Sequence, residues 1–245
     1  MNGDFCLSDS YISVIEAIKH AAAANNCKPK LYWLNAEEIE QNGTDCLRQL
    51  DGIIVPQGWG ARGAAGKIMT IKYCRENNLP YFGLCYGMQM AVIEFARHAA
   101  GLVGADSEEI NPQTPHPVIH IMPGQRELLD KKQYGGTIRL GGWPCKIVKG
   151  THLAKAYERK GEQEIVSERH RHRYEFNNRY RQVLENKGLT IAGTSPDGQI
   201  VEAIEISHHP FFIGTQFHPE YISRPLDPHP LFVEFVRVCL KKIKM

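Results

Sequence analysis

Several things are scarce in these 245 residues, and each absence removes a class of function. No apolar run approaches the roughly 20 residues needed to cross a bilayer, so no membrane partner is expected. The opening "MNGDFCLSDS" has no basic stretch followed by an apolar core, so no secretory leader is read there. Neither sign of charge is in excess: a net charge of +2 at pH 7 gives no electrostatic case for nucleic acid or an acidic membrane surface. No C-x-x-C occurs among the cysteines, which stand scattered at Cys6, Cys27, Cys46, Cys74, Cys85, Cys145 and Cys239. Their odd number and irregular spacing argue against a disulfide framework or a thiolate zinc site, and for a reducing, cytoplasmic setting. No metal site is expected. A P-loop ending in G-K-[ST] and a full G-x-G-x-x-G are both missing, as are internal repeats and low-complexity segments. Asn42-Gly43-Thr44 matches a glycosylation acceptor, which without a leader reads as a chance match in a loop.

What is present reads as one α/β domain over residues 1–245. "DSYISVIEAIKHAAAA" has helical apolar spacing with Asp9 or Ser10 as N-cap, and "KLYWL" reads as a strand. "DGIIVPQGWG" is a short buried strand running into a Pro/Gly loop. A helix ending near Asn78, the strand "LPYFGLC" and the helix "YGMQMAVIEFARHAAG" follow, with Gly101 as its stop. Short apolar strands alternating with amphipathic helices predict a mostly parallel central sheet covered by helices on both faces. Residues from about 111 to 160 are richer in Pro, Gly and charge and read as excursions or lids. "GLTIAGTSPDGQIVEAIEI" predicts a small antiparallel pair turning at Pro196-Asp197-Gly198. "FFIGTQFHPE" is a further strand and "HPLFVEFVRVCLKKIK" the closing helix.

The chemistry concentrates at "GLCYGMQM", residues 83–90. A free cysteine is ordinarily a buried structural thiol. Cys85, however, sits between a strand and a helix in the frame G-x-C-x-G, the counterpart of the G-x-S-x-G nucleophile elbow. The glycines let backbone pass close by, and the helix N-terminus favours a thiolate. The Tyr86 N–H would point at a developing oxyanion. A thiolate nucleophile needs a base and an orienter. His218 in "TQFHPE" ends a predicted strand, and Glu220 lies two residues on, a spacing that puts both side chains on one side of extended chain. "PQGWGARG" follows a strand onto the same sheet edge, where its amides could donate to an oxyanion.

"VPQGWG", "GLCYGMQ" and "QFHPE" together resemble the class I, triad-type glutamine amidotransferase family, whose fold is flavodoxin-like. Within it, "ADSEE", "GGTIRLG", "ERHRHRYEFNN" and "HPLFVEFV" are similar to the glutaminase domains of CTP synthases, over nearly the whole chain. The resemblance implies hydrolysis of L-glutamine, with Cys85 as nucleophile, His218 as acid and base and Glu220 as orienter. It assigns substrate contacts to Gly58, to the backbone at Tyr86 and Gln89, and to Glu109 and Arg173, and the oxyanion to Gln57 and Tyr86. Glu109 and Arg173 suit the amino and carboxylate ends of an amino acid, since Arg can grip a carboxylate through two bonds. Ammonia would pass to a synthetase domain, or another acceptor, absent from these residues. ATP, Mg and UTP are expected only in that domain, GTP as an allosteric activator, and no cofactor here. A homo-oligomer is left open. Without the resemblance, "RHRHRY" reads as a solvated basic run, or weakly as a metal or phosphate patch.

Two departures stand out. Where the family has Gly and Leu, this chain has Gln57 and Tyr86. A non-glycine residue at 57 is expected to suffer in unusual dihedrals, and Tyr86 to crowd the pocket. The first strand looks clipped at "MNGDF". These features keep two alternatives in view: a catalytically weak domain with a regulatory or assembly role, and a gamma-glutamyl hydrolase-like enzyme.

Overall fold

The computed structural model describes residues 8–122, 138–161 and 164–242. The clipped first strand and residues 123–137 of the expected excursion lie outside them. In chain order the helices are α1 (Ile12–Ala24), α2 (Ala36–Asn42), α3 (Ala64–Glu76), α4 (Tyr86–His98), α5 (His152–Tyr157), α6 (Arg181–Glu185) and α7 (Pro230–Lys242). The strands are β1 (Ile53–Val55), β2 (Tyr81–Leu84), β3 (Ala105–Ser107), β4 (His116–Ile121), β5 (Arg139–Ile147), β6 (Ile165–His172), β7 (Tyr174–Phe176), β8 (Thr190–Thr194), β9 (Val201–Glu205) and β10 (Phe212–Thr215). Asp9 and Ser10 do not cap α1; they fall in a 3-10 turn, Ser8–Tyr11, that leads into it.

Among the described residues, seven strands form one sheet in the order β1-β2-β10-β9-β8-β5-β6. Each strand of its centre alternates side chains between two cores. Tyr81 joins a core with α3 and α4, while Phe82 joins the other, with α1, α5 and α7. Helices thus cover both faces, as the alternating apolar segments predict.

Strand direction needs a correction. β1, β2 and β10 run parallel, but β10-β9, β9-β8, β8-β5 and β5-β6 all pair antiparallel. The antiparallel part is more than a small excursion. Parallel neighbours need a crossover connection, and β8, β9 and β10 follow one another through short turns instead. At 195–200 the predicted turn closes with the Gly198 N–H on the Ser195 carbonyl, Gly198 at φ +75°. A second sheet, β3-β4-β7, stands beside the first.

The expected strand "KLYWL" is irregular. Leu31, Tyr32 and Trp33 are exposed, and a groove of about 480 Å³ separates this stretch from β1. Apolar β-propensity alone makes no strand without a backbone to pair with. Among the described residues β1 therefore has one sheet neighbour, β2.

The Ile53 N–H bonds to the Pro80 carbonyl, so the intervening Ile54 amide points to the groove. In native-state hydrogen exchange, Ile54 is expected to exchange orders of magnitude faster than Phe82, which has strands on both sides. Equal protection of the two would refute an open edge at β1.

Candidate active site

Cys85 occupies the junction of β2 and α4, at φ +51° and ψ −98°. A non-glycine residue held there is strained, as expected of a nucleophile elbow. Three backbone contacts hold it. The Cys85 N–H donates to the Thr215 carbonyl at 2.7 Å, tying the elbow to β10. A side chain on Gly87 would lie 2.1 Å from the Val55 carbonyl oxygen, so α4 starts pressed against β1. One on Gly83 would lie 2.8 Å from the Gly87 carbonyl carbon. Both glycines of the motif are thus required by close approach. Tyr86 stands at the first position of α4, where a helix N–H has no intrahelical acceptor.

His218 follows β10, its own N–H anchored on the Arg169 carbonyl at 2.8 Å. Its Nδ1 donates to Glu220 Oε1 at 2.7 Å, and its ring stacks on Tyr221 at 4.7 Å between centroids. Both side chains are buried. Burial alone would push the imidazole down; the Cys85 sulfur and then the Glu220 carboxylate outweigh it and hold His218 well above its ordinary value. With Nδ1 committed to Glu220, the buried Nε2 is the atom left for the thiol. Cys85, His218 and Glu220, proposed from separate motifs, meet at one sheet edge.

The neighbouring loop carries Gln57 and Gly58. Gln57 is not among the residues with positive φ, so the expected dihedral penalty does not arise. Tyr86 braces this loop: its hydroxyl donates to the Gly60 carbonyl, and Gly58 packs against its ring. Tyr11 donates to the Gln57 carbonyl at 3.3 Å.

Glu109, just beyond β3, accepts from the Gly60 N–H at 3.3 Å. Burial raises its carboxyl, while that N–H and the Arg173 guanidinium oppose the rise. Glu109 and Arg173 are therefore electrostatic neighbours, carried by the small sheet. Gln89 needs a correction. Its backbone N–H is spent on the Cys85 carbonyl within α4, so the expected backbone contact is not on offer. Its side-chain amide instead donates to the Tyr174 carbonyl at 3.0 Å and to Gln216 Oε1 at 3.2 Å.

Two groups escaped the sequence reading. Gln216, fully buried, donates from Nε2 to Cys85 Sγ at 3.5 Å. The run "ERHRHR" is no solvated face: Glu168, His170 and His172 point inward while Arg169 and Arg171 point out. The period-2 alternation was the available signal. His170 Nδ1 lies 3.1 Å from His172 Nε2, and His172 Nδ1 donates to the Tyr174 carbonyl at 3.0 Å. His170, His172 and Glu202 have ligand-type atoms close enough for a metal ion. The cation in their midst is Arg139, 2.6 Å from Glu202 Oε1 and 3.4 Å from His170 Nδ1. Burial, then the Arg139 charge, pushes His170 down to about 2 and His172 to about 3.

These depressed values set a sign. The unfolded chain protonates both histidines below about 6.5 while the folded one does not, so their contribution to stability holds above that pH and is lost as pH falls towards about 3. His172→Gln is accordingly expected to lose less stability per pH unit than the parent between pH 6 and 4, by urea melts. Equal slopes would refute neutral burial. Gly87→Ala is expected to destabilise by about 1–3 kcal/mol, an overpacking cost, and to slow alkylation of Cys85; an unchanged melt would contradict the contact with Val55.

Comparison with known proteins agrees with this geometry. Residues 6–238 match the family model described as glutamine amidotransferase class-I. A CTP synthase of Caldanaerobacter subterraneus subsp. tengcongensis is 56% identical over 235 residues, covering 96% of this chain and 42% of that protein. One from Geobacillus kaustophilus is 52% identical over 237 residues, covering 96% of this chain and 43% of that protein. The glutaminase domain of Trypanosoma brucei CTPS, solved with bound acivicin, superposes with a TM-score of 0.86 at 38% identity, covering 95% of this chain and 89% of that one. The chain thus spans about two-fifths of the length of the curated relatives it matches.

Proposed function

The chain belongs to the class-I glutamine amidotransferase family, and from that premise we propose that it hydrolyses L-glutamine to glutamate and ammonia through a thioester on Cys85. The observation that carries this reading is the strained Cys85 facing a buried imidazole that is itself clamped by Glu220 at 2.7 Å. A raised His218 beside the sulfur supports a thiolate–imidazolium pair as the resting state.

The steps follow from the positions. The Cys85 thiolate attacks the side-chain amide carbon, and the oxyanion is met by the Tyr86 N–H and the loop of Gln57 and Gly58. As the C–N bond breaks, His218 gives its proton to the departing ammonia. Water then attacks the thioester, His218 takes a proton from it, and the thiolate leaves as glutamate is released. Glu220 keeps the imidazole oriented and its charged form stable. Glu109 and Arg173 take the amino and carboxylate ends of the substrate. Hydrolysis needs no cofactor.

Ammonia is the half-product that the longer relatives suggest a use for. Their printed name, CTP synthase, supports delivery to a synthetase portion that aminates UTP with ATP and Mg, with GTP as activator. Of the features behind the weak-domain alternative, Gln57 carries no positive-φ penalty, and Tyr86 hydrogen-bonds to the neighbouring loop.

Glutamate release from glutamine, with and without GTP, tests the proposal. The parent is expected to turn over and Cys85→Ala to be inert; equal inertness of both would sink it. Glu220→Gln is expected to lower kcat by about 10²–10⁴, the range of a positioned acid–base partner, with little change in KM. Gln57→Gly is expected to bring no gain; a clear rise in turnover would mean that Gln57 limits the oxyanion site.

A further inference from the structure

The proposed steps leave one side chain at the sulfur without a role. Gln216 is the last residue before Phe217 and His218, and its amide nitrogen lies 3.5 Å from Cys85 Sγ. We infer that Gln216 is a catalytic residue: its side-chain N–H holds the Cys85 sulfur as thiolate and aims it for attack. This deepens the reading of the site as a thiol hydrolase and rests on it.

The orientation of the amide is fixed by a chain of bonds. A backbone carbonyl can only accept, so Gln89 must present its NH₂ to the Tyr174 carbonyl. The same NH₂ then meets Gln216, which must present oxygen, at 3.2 Å. The nitrogen of Gln216 is thereby turned to the sulfur. A flipped Gln216 would set NH₂ against NH₂ on one side and oxygen against a thiolate on the other. The backbone shares the constraint: the Gln216 N–H bonds to the Glu202 carbonyl at 2.8 Å, and the residue before it accepts from the Cys85 N–H at 2.7 Å. Gln216 and His218, two apart in sequence, are both buried at the elbow, while Phe217 between them packs into the core with Phe82.

The chemistry needs such a donor twice. Before attack, the sulfur carries negative charge, and a neutral N–H stabilises it without the option of protonating it, which an imidazolium has. When the thioester is cleaved, the electron pair returns to sulfur, and the same N–H eases its departure. A hydrogen bond to an ion in a buried site is worth more than one in water.

The test reads the thiol directly, without glutamine. The rate of alkylation of Cys85 by iodoacetamide is followed against pH by peptide mass mapping in the full chain, so its outcome is separate from any glutaminase assay. Gln216→Met removes the donor at similar size. It is expected to move the midpoint up by half to one pH unit, about three- to tenfold less thiolate at a fixed lower pH. Gln216→Glu keeps an oxygen for Gln89 but turns an anion to the sulfur, and is expected to move it further. Gln89→Met, which removes the bond that aims Gln216, is expected to move it in the same direction by less. Parent-like midpoints in the Gln216 variants, with folding intact by circular dichroism, would overturn the inference. So would a shift in Met with none in Glu, which would mark Gln216 as mere support for Gln89, or a shift in Glu with none in Met, which would mark repulsion alone. Should Gln216→Met fail to fold, the Glu and Gln89→Met variants decide, and either one at the parent midpoint overturns it.

Discussion

The site depends on one steric fact: α4 begins where there is room for no side chain. Gly87 lies against the Val55 carbonyl and Gly83 against the start of α4, so β1, β2 and the helix meet at backbone contact distance. That contact forces the turn between β2 and α4 to be completed in a single residue, Cys85, and so forces its φ of +51°. A relaxed cysteine at the end of a strand would alternate into one of the two cores. Here the thiol is held at the sheet edge, with the first amide of a helix beside it.

Around this fixed point the electrostatics is layered by depth. His218 and Glu220 are buried, and the Cys85 sulfur and the Glu220 carboxylate hold the imidazole well above its ordinary value. His170 and His172, equally buried but beside the Arg139 guanidinium, are kept neutral. Burial is thus outweighed at His218 and reinforced at His170 and His172. The difference lies in the sign of the nearest partner and not in exposure. Glu109, farther out, is held between the Gly60 amide and Arg173.

The grouping of Cys85, His218 and Glu220 was legible because each sat in a local frame with its own physical reason: glycines around Cys85, and the spacing of two between His218 and Glu220. The α/β layering was legible from alternating apolar segments for the same reason. Other features depend on partners distant in sequence. "KLYWL" has the composition of a strand, yet pairing is not a property of composition. The inward histidines of "RHRHRY" were hidden because charge dominates the eye while period 2 decides the face. Gln216 gave no local sign at all. Its meaning comes from Gln89 and Tyr174, each more than 40 residues away. The dihedral penalty expected at Gln57 does not arise, and the bond from Tyr86 to the Gly60 carbonyl had no local sign, because it too depends on a partner distant in sequence.

The groove beside β1 has a bearing on how activity would be lost on heating. Val55, the stop against which Gly87 is pressed, belongs to an edge strand, with a single sheet neighbour among the described residues. The positive-φ elbow thus leans on a strand that is open to the groove on one side. Fraying of that margin would let α4 retreat and Cys85 relax while the rest of the sheet stayed folded. Inactivation would then run ahead of unfolding, and the elbow would act as the fuse of the domain.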